Sequence, residues 1–152
     1  KPTVGRSEKL ELDRKPLPTE GAPRKKLSFA VRVLPAQLAQ IERIKAALGV
    51  EDQYLVRALR TKTVTRLADI RDKRDWKTLA DEAEARLSDA KGEGGPFFKA
   101  GLQLTDAETM AAQDAINDPL GMIMPHSVIS AFAKAAFAIE LDQLVATTVE
   151  NS

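Results

Sequence analysis

Hydrophobic and polar positions alternate along this chain in two short runs, and each run gives way to helical apolar spacing. In the first run Leu27, Phe29, Val31 and Val33 share one face of an extended segment, while Lys26, Ser28, Ala30 and Arg32 share the other. Pro35 suits the first turn of a helix. Leu38, Ile41, Ile44, Ala47 and Leu48 then follow helical spacing until Gly49 stops it. A second helix begins near Glu51 and carries Leu55, Ala58, Leu59, Lys62, Val64 and Leu67. In the second run Phe98, Ala100, Leu102 and Leu104 alternate with Lys99, Gly101 and Gln103. Thr105-Asp106-Ala107-Glu108 has the spacing of a capping box, and Met110, Ala111, Ala115 and Ile116 give a short helix its apolar face. After the turn at Asp118-Pro119-Leu120-Gly121, Pro125 opens a last helix through Phe132, Ala136, Phe137, Ile139 and Leu144. That helix is apolar on most sides and is expected at the centre of the core.

One strand and two helices of this size cannot enclose a core alone, whereas two such units can pair their strands and bury their helices together. The pattern predicts a mostly α fold with a two-stranded antiparallel ribbon, built as two strand-helix-helix units fused in one chain as a pseudo-dimer. The units span 26–70 and 96–152 of a single compact domain, 26–152. Between them, 71–95 is a connector. Arg71 to Asp75 is a charged continuation, the stripe Trp76, Leu79, Ala83 and Leu87 predicts another helix, and Gly92-Glu93-Gly94-Gly95-Pro96 reads as a linker. Residues 1–25, polar and punctuated by Pro2, Pro16, Pro18 and Pro23, read as a flexible basic arm.

Composition narrows the function classes. The net charge of +1 hides a gradient. Residues 1–26 hold eight Lys and Arg against four Asp and Glu, residues 27–95 thirteen against eleven, and residues 96–152 two against seven. An anionic partner would therefore meet the first half. The absence of cysteine excludes disulfides, thiolate nucleophiles and zinc-thiolate sites. No apolar run is long enough to cross a bilayer and no signal peptide is visible, so a cytoplasmic location without membrane partners is expected.

Little in the chain points to catalysis. The sole histidine, His126, has only Ser127 beside it in sequence, without the third group that orients a nucleophile. Asp81, Glu82 and Glu84 read as a solvated helix face, and Gly92 to Gly95 lack the lysine and Ser/Thr of a phosphate loop. No enzymatic activity, metal, cofactor or small-molecule substrate is expected. An outward-facing ribbon, by contrast, fits the DNA major groove. There Arg32 can meet guanine acceptors, Gln103 adenine, and Ser28 and Lys99 either. Arg24, Lys25 and Lys26 beside the ribbon can neutralise phosphates. His126 and Ser127 at the start of the last helix can hold another, whereas Glu51 and Asp52 would repel one unless turned away. Ala30 and Gly101 admit the backbone to the groove and read little sequence.

The first unit, Phe29-Ala30-Val31-Arg32-Val33-Leu34-Pro35 with its helix, Gly49 and second helix, resembles the ribbon-helix-helix family of DNA-binding proteins. Residues 26–152 as a whole resemble a tandem, single-chain branch of it. This branch comprises the overdrive-binding accessory proteins encoded second in the virC operon of agrobacterial T-DNA transfer, and their conjugative-plasmid relatives. The segments that carry this are Asp118-Pro119-Leu120-Gly121, Ser130-Ala131-Phe132-Ala133-Lys134-Ala135-Ala136-Phe137-Ala138 and the closing Asn151-Ser152. The resemblance implies a pseudo-dimer that binds double-stranded DNA beside a transfer border or origin. It implies help to a relaxase, with a relaxase or partner ATPase as protein partner, and ribbon contacts from Ser28, Arg32, Lys99 and Gln103 flanked by Lys26. The acidic second half makes lopsided binding the expectation. Two alternatives stand beside it: a ribbon-helix-helix transcriptional repressor or plasmid-maintenance regulator, and a helical protein–protein adaptor docking through the Trp76–Leu87 stripe and the acidic second half.

Overall fold

A computed structural model describes residues 23–87 and 97–150, with only the backbone of Phe97. Most of the expected arm (residues 1–22), the Gly92–Pro96 linker and Asn151-Ser152 lie outside the described residues. In chain order the elements are β1 (Lys25–Arg32), α1 (Pro35–Leu48), α2 (Asp52–Lys73), a 3-10 turn (Trp76–Leu79), α3 (Ala80–Arg86), β2 (Phe97–Leu104), α4 (Asp106–Ala115) and α5 (Pro125–Thr148). The fold is mostly helical with one two-stranded antiparallel sheet.

The strand register follows from the alternation. Leu27 lies opposite Leu102, Phe29 opposite Ala100 and Val31 opposite Phe98, so the apolar sets fall on one face together. On the other face Lys26 lies opposite Gln103, Ser28 opposite Gly101 and Ala30 opposite Lys99.

Both strands enter their helices in the same way. Leu34 caps α1 and Thr105 caps α4, each in extended backbone. Three residues on, Gln37 Oε1 accepts from the Leu34 N–H (2.9 Å) and Glu108 Oε1 from the Thr105 N–H (2.8 Å). Only the second box closes, because Thr105 Oγ1 accepts from the Glu108 N–H at 3.0 Å while leucine has no oxygen to offer. Both helix breaks contain a glycine in left-handed backbone, Gly49 at φ 69° and Gly121 at φ 66°. The second break is longer. Asn117 (φ 65°) also turns left-handed, and the buried Asp118 carboxylate accepts from the Met122 and Ile123 N–H groups, both at 2.9 Å.

Helix α5 is the axis of the core, as its apolar circumference predicts: it packs on β1 and on α1, α2, α3 and α4. Each long helix lies against the strand of the other segment, α5 on β1 and α2 on β2. Phe132, Phe137, Leu141 and Ile129 are fully enclosed, and Phe98 stacks tilted on Phe137 with ring centres 5.6 Å apart.

Several positions depart from the spacing argument. Helix α1 buries only Ile41 and Ile44, leaving Ala47, Leu38 and Leu48 exposed, because it touches the core along one narrow stripe on α5. The inner stripe of α2 is Leu55, Leu59, Thr63, Leu67 and Ile70, so Lys62 is turned to solvent. In α4 the buried pair is Ala112 and Gln113, with Ile116 just past its end. The Gln113 amide donates to the Ile123 carbonyl (3.2 Å) in front of Gly121. The connector stripe forms a 3-10 turn before α3 instead of one continuous helix. Trp76, Leu79 and Ala83 are buried, with the Trp76 ring edge-on to Phe132 at 5.1 Å. These three side chains belong to the core and offer no surface to a partner, while Leu87 is half-buried. Helix α2 also runs on to Lys73, past the expected unit boundary at 70.

Candidate nucleic-acid interface

The polar face of the ribbon is not covered by a helix. Lys26, Ser28 and Ala30 on β1 and Lys99 and Gln103 on β2 are exposed, Gly101 is half-exposed, and Arg32 is half-buried at the strand end. The Lys26 side chain lies across Gly101, where a Cβ on residue 101 would collide with its methylenes. Glycine here is thus what lets a lysine lie along the ribbon floor.

The long helices turn this face into a groove of about 600 Å³. Its floor includes Lys26, Ser28, Ala30 and Lys99, with Arg60 of α2 on one side and His126 and Ser130 of α5 on the other. No carboxylate lines it. Ser130 Oγ donates to the Ala30 carbonyl (3.2 Å) and fixes the α5 wall to the edge of β1. A second groove of about 430 Å³ continues between α2 and β2, lined by Asp52, Gln53, Val56, Arg57, Arg60, Phe98 and Lys99. Arg60 and Lys99 border both. The Asp52 carboxylate there is met by Lys45 Nζ at 2.7 Å, a contact that, with Glu42, raises the Lys45 pKa against burial. Among the described residues Lys26, Arg57, Arg60 and Lys99 have no ion-pair partner, so their charge is available to an anion.

The remaining expected contacts lie elsewhere or are engaged. Arg24 donates to both oxygens of Glu108 (Nη2 at 2.9 Å, Nε at 3.3 Å) and to Asp72 at 3.4 Å. The Glu108 hydrogen bond raises the already high Arg24 pKa, outweighing desolvation. Burial pushes Glu108 up, but the Arg24 hydrogen bond, the Thr105 N–H and the charges of Arg24 and Arg71 together hold it below its ordinary value. Arg24 is therefore a clamp between the segments in place of the expected phosphate contact. Lys25 is exposed, but its strand parity puts it on the face of Phe29, with Asp106 3.7 Å away. His126 does reach the groove, whereas Ser127 is half-buried and its N–H is spent on the Met124 carbonyl at 2.9 Å. Arg57 and Arg60 escaped the sequence argument. The available signal was their spacing: with Gln53 they share the α2 face opposite Leu55 and Leu59.

Among the described residues no group of three or more His, Asp or Glu is placed to hold a metal ion, and no helix is long and apolar enough to cross a membrane. No protein-family model matches the chain, and no curated protein or solved structure matches it either.

Proposed function

We propose that the chain is a single-chain ribbon-helix-helix pseudo-dimer that inserts its ribbon into the major groove of double-stranded DNA. It would act as an accessory protein at a transfer border or origin, helping a relaxase to process the DNA. The observation that carries the DNA reading is the uncovered polar face of an antiparallel ribbon, set in a groove with four cationic or titratable side chains and no carboxylate. The major groove is about 12 Å wide and admits such a ribbon. The return of Gln37 and Glu108 to the helix starts, the left-handed glycine in each break and the crossed packing of α2 and α5 support two related, unequal units. The place in DNA transfer rests on the sequence resemblance alone.

On this reading Lys26, Ser28, Lys99 and Gln103 meet base edges and nearby phosphates, with Arg32 at the strand end. A gel shift with duplex DNA tests it, using Lys26→Ala with Lys99→Ala. Both residues are exposed and unpaired, so the variant keeps the fold. Removing two phosphate-neutralising cations should lower the log–log salt slope by about 1.8 and weaken binding severalfold or more. Unchanged affinity and slope would exclude the ribbon as the contact surface. Site selection with the purified chain then separates a transfer-origin sequence from a promoter operator.

A further inference from the structure

We infer that the chain grips the DNA backbone mainly from one flank, through Arg57 and Arg60 of α2, and so binds a non-palindromic site in a fixed orientation. This rests on the ribbon reading above and goes beyond it by assigning the phosphate grip to one helix.

The two flanks of the ribbon differ. Helices α2 and α5 begin from caps Glu51 and Met124. Six residues beyond the cap α2 has Arg57 and α5 has Ser130; nine residues beyond, α2 has Arg60 and α5 has Ala133. Both arginines are exposed, and Arg60 and Lys99 border both grooves. Ser130 spends its hydroxyl on the Ala30 carbonyl, and Ala133 is fully buried. An arginine at either α5 position would meet the strand or the core. Helix α5 packs on β1, with Ser130 bonded to that strand and Ala133 enclosed in the core, so neither position has room for a long cationic side chain. The close packing that builds the core thus removes the phosphate-binding positions from the α5 flank.

The first turn of α5 does not make up the loss. Pro125 has no N–H, and the Ser127 N–H is taken by the Met124 carbonyl, which leaves His126 as the side chain facing the groove. Against α2 stands Asp52, whose charge is offset by Lys45. Two guanidiniums on one side against one imidazole on the other gives the complex a direction. Arginine also favours bidentate contact with phosphate oxygens.

The test measures salt dependence and phosphate ethylation interference on the site selected by the purified chain. Arg57→Ala with Arg60→Ala should lower the log–log salt slope by about 1.8, while His126→Ala leaves it within about 0.5. Arg57→Lys with Arg60→Lys should restore most of the slope, which separates charge from any change in folding. Ethylation should interfere at a cluster of phosphates on one flank of the ribbon footprint, and the double alanine variant should erase that cluster. DNA binding with an unchanged slope in the double variant, or with two equal interference clusters, overturns this inference and leaves the ribbon reading standing. Failure of the wild-type chain to bind duplex DNA at low salt overturns both.

Discussion

Helices α2 and α5 hold matching places after a left-handed glycine, yet one is a surface helix and the other is the core. Helix α5 buries ten side chains on nearly all sides, including Phe132 and Phe137, while α2 buries a single stripe of five. Their positive charges divide in the same way: α2 carries Arg57, Arg60, Lys62, Arg66, Arg71 and Lys73 beside Asp52, Asp69 and Asp72, whereas α5 has Lys134 as its one Lys or Arg, beside Glu140 and Asp142. The lesson is a division of labour between the two long helices. A helix that must be surrounded keeps its few ions off the buried positions, as Lys134, Glu140 and Asp142 are, because each buried charge needs a partner to offset its lost hydration. The arginines that the proposed DNA contact would use are therefore on the helix that remains outside.

The sharpest way to break this comparison is to truncate the same register on both helices. Leu59 and Phe132 each lie eight residues past their cap and are fully buried. Phe132→Ala should cost about 3–5 kcal/mol. It should be the more damaging change, since the ring also receives the edge of Trp76, a contact worth about 0.5–1.5 kcal/mol beyond its area. Leu59→Ala falls within a range of about 2–5 kcal/mol. Urea denaturation of both variants checks the order, and an equal or larger loss at Leu59 would make the two helices equivalent supports.

A smaller effect distinguishes the helix starts. Thr105→Ala opens a closed capping box and should cost about 1 kcal/mol. Gln37→Ala removes the single acceptor of the half-box at α1 and should cost about 0.5 kcal/mol. Thermal melts of the two variants should rank them in that order. The reverse ranking would mean that α1, despite its thin contact with the core, depends more on its cap.

Most of the element order was legible in the sequence because its signals are local. Alternation fixed the strand faces, Pro35 and Pro125 marked helix starts, Gly49 and Gly121 marked breaks, and Thr105 with Glu108 spelled the cap. What escaped was which positions of a helix meet a neighbour. Leu38, Ala47 and Leu48 have helical spacing and are exposed, because spacing defines a stripe and not the width of surface that covers it. Thr63 is fully enclosed where Lys62 was expected, its Oγ1 without a hydrogen-bond partner. The candidate site divided along the same line. Lys26, Ser28, Lys99 and Gln103 follow from strand parity alone, whereas Arg60 comes to border the ribbon groove, and Arg57 the second groove beside it, only once α2 is laid beside β2. Arg24, one residue before β1, is claimed by carboxylates from α4 and α2, distant in sequence.

That clamp supplies the smallest predicted effect and a further contrast, since it ties the segments with satisfied charge at one place while the groove keeps charge unsatisfied at another. Glu108 is held below its ordinary pKa, with burial opposing and the Arg24 hydrogen bond leading the lowering. Asp72 is held below its own, chiefly by the Arg71 hydrogen bond and next by the Arg71 and Arg24 charges. A carboxylate with a lowered folded pKa leaves the unfolded chain binding more protons in acid, so stability rises with pH through the carboxylate range. The contribution is complete above the unfolded values near 4 and is lost as pH falls through the lowered folded ones. Arg24→Gln removes the main lowering at Glu108, while the Thr105 N–H there and Arg71 at Asp72 remain. The variant should therefore lose less stability than wild type between pH 7 and pH 3, as read from urea midpoints at low salt. Because the pair is partly exposed, 0.5 M salt should shrink the difference. An identical acid loss in both proteins would show that Arg24 adds no net stability to the join between the two segments. The DNA prediction separates the two sets of cations, because Arg24→Gln should leave the salt slope of binding unchanged while the α2 arginines lower it.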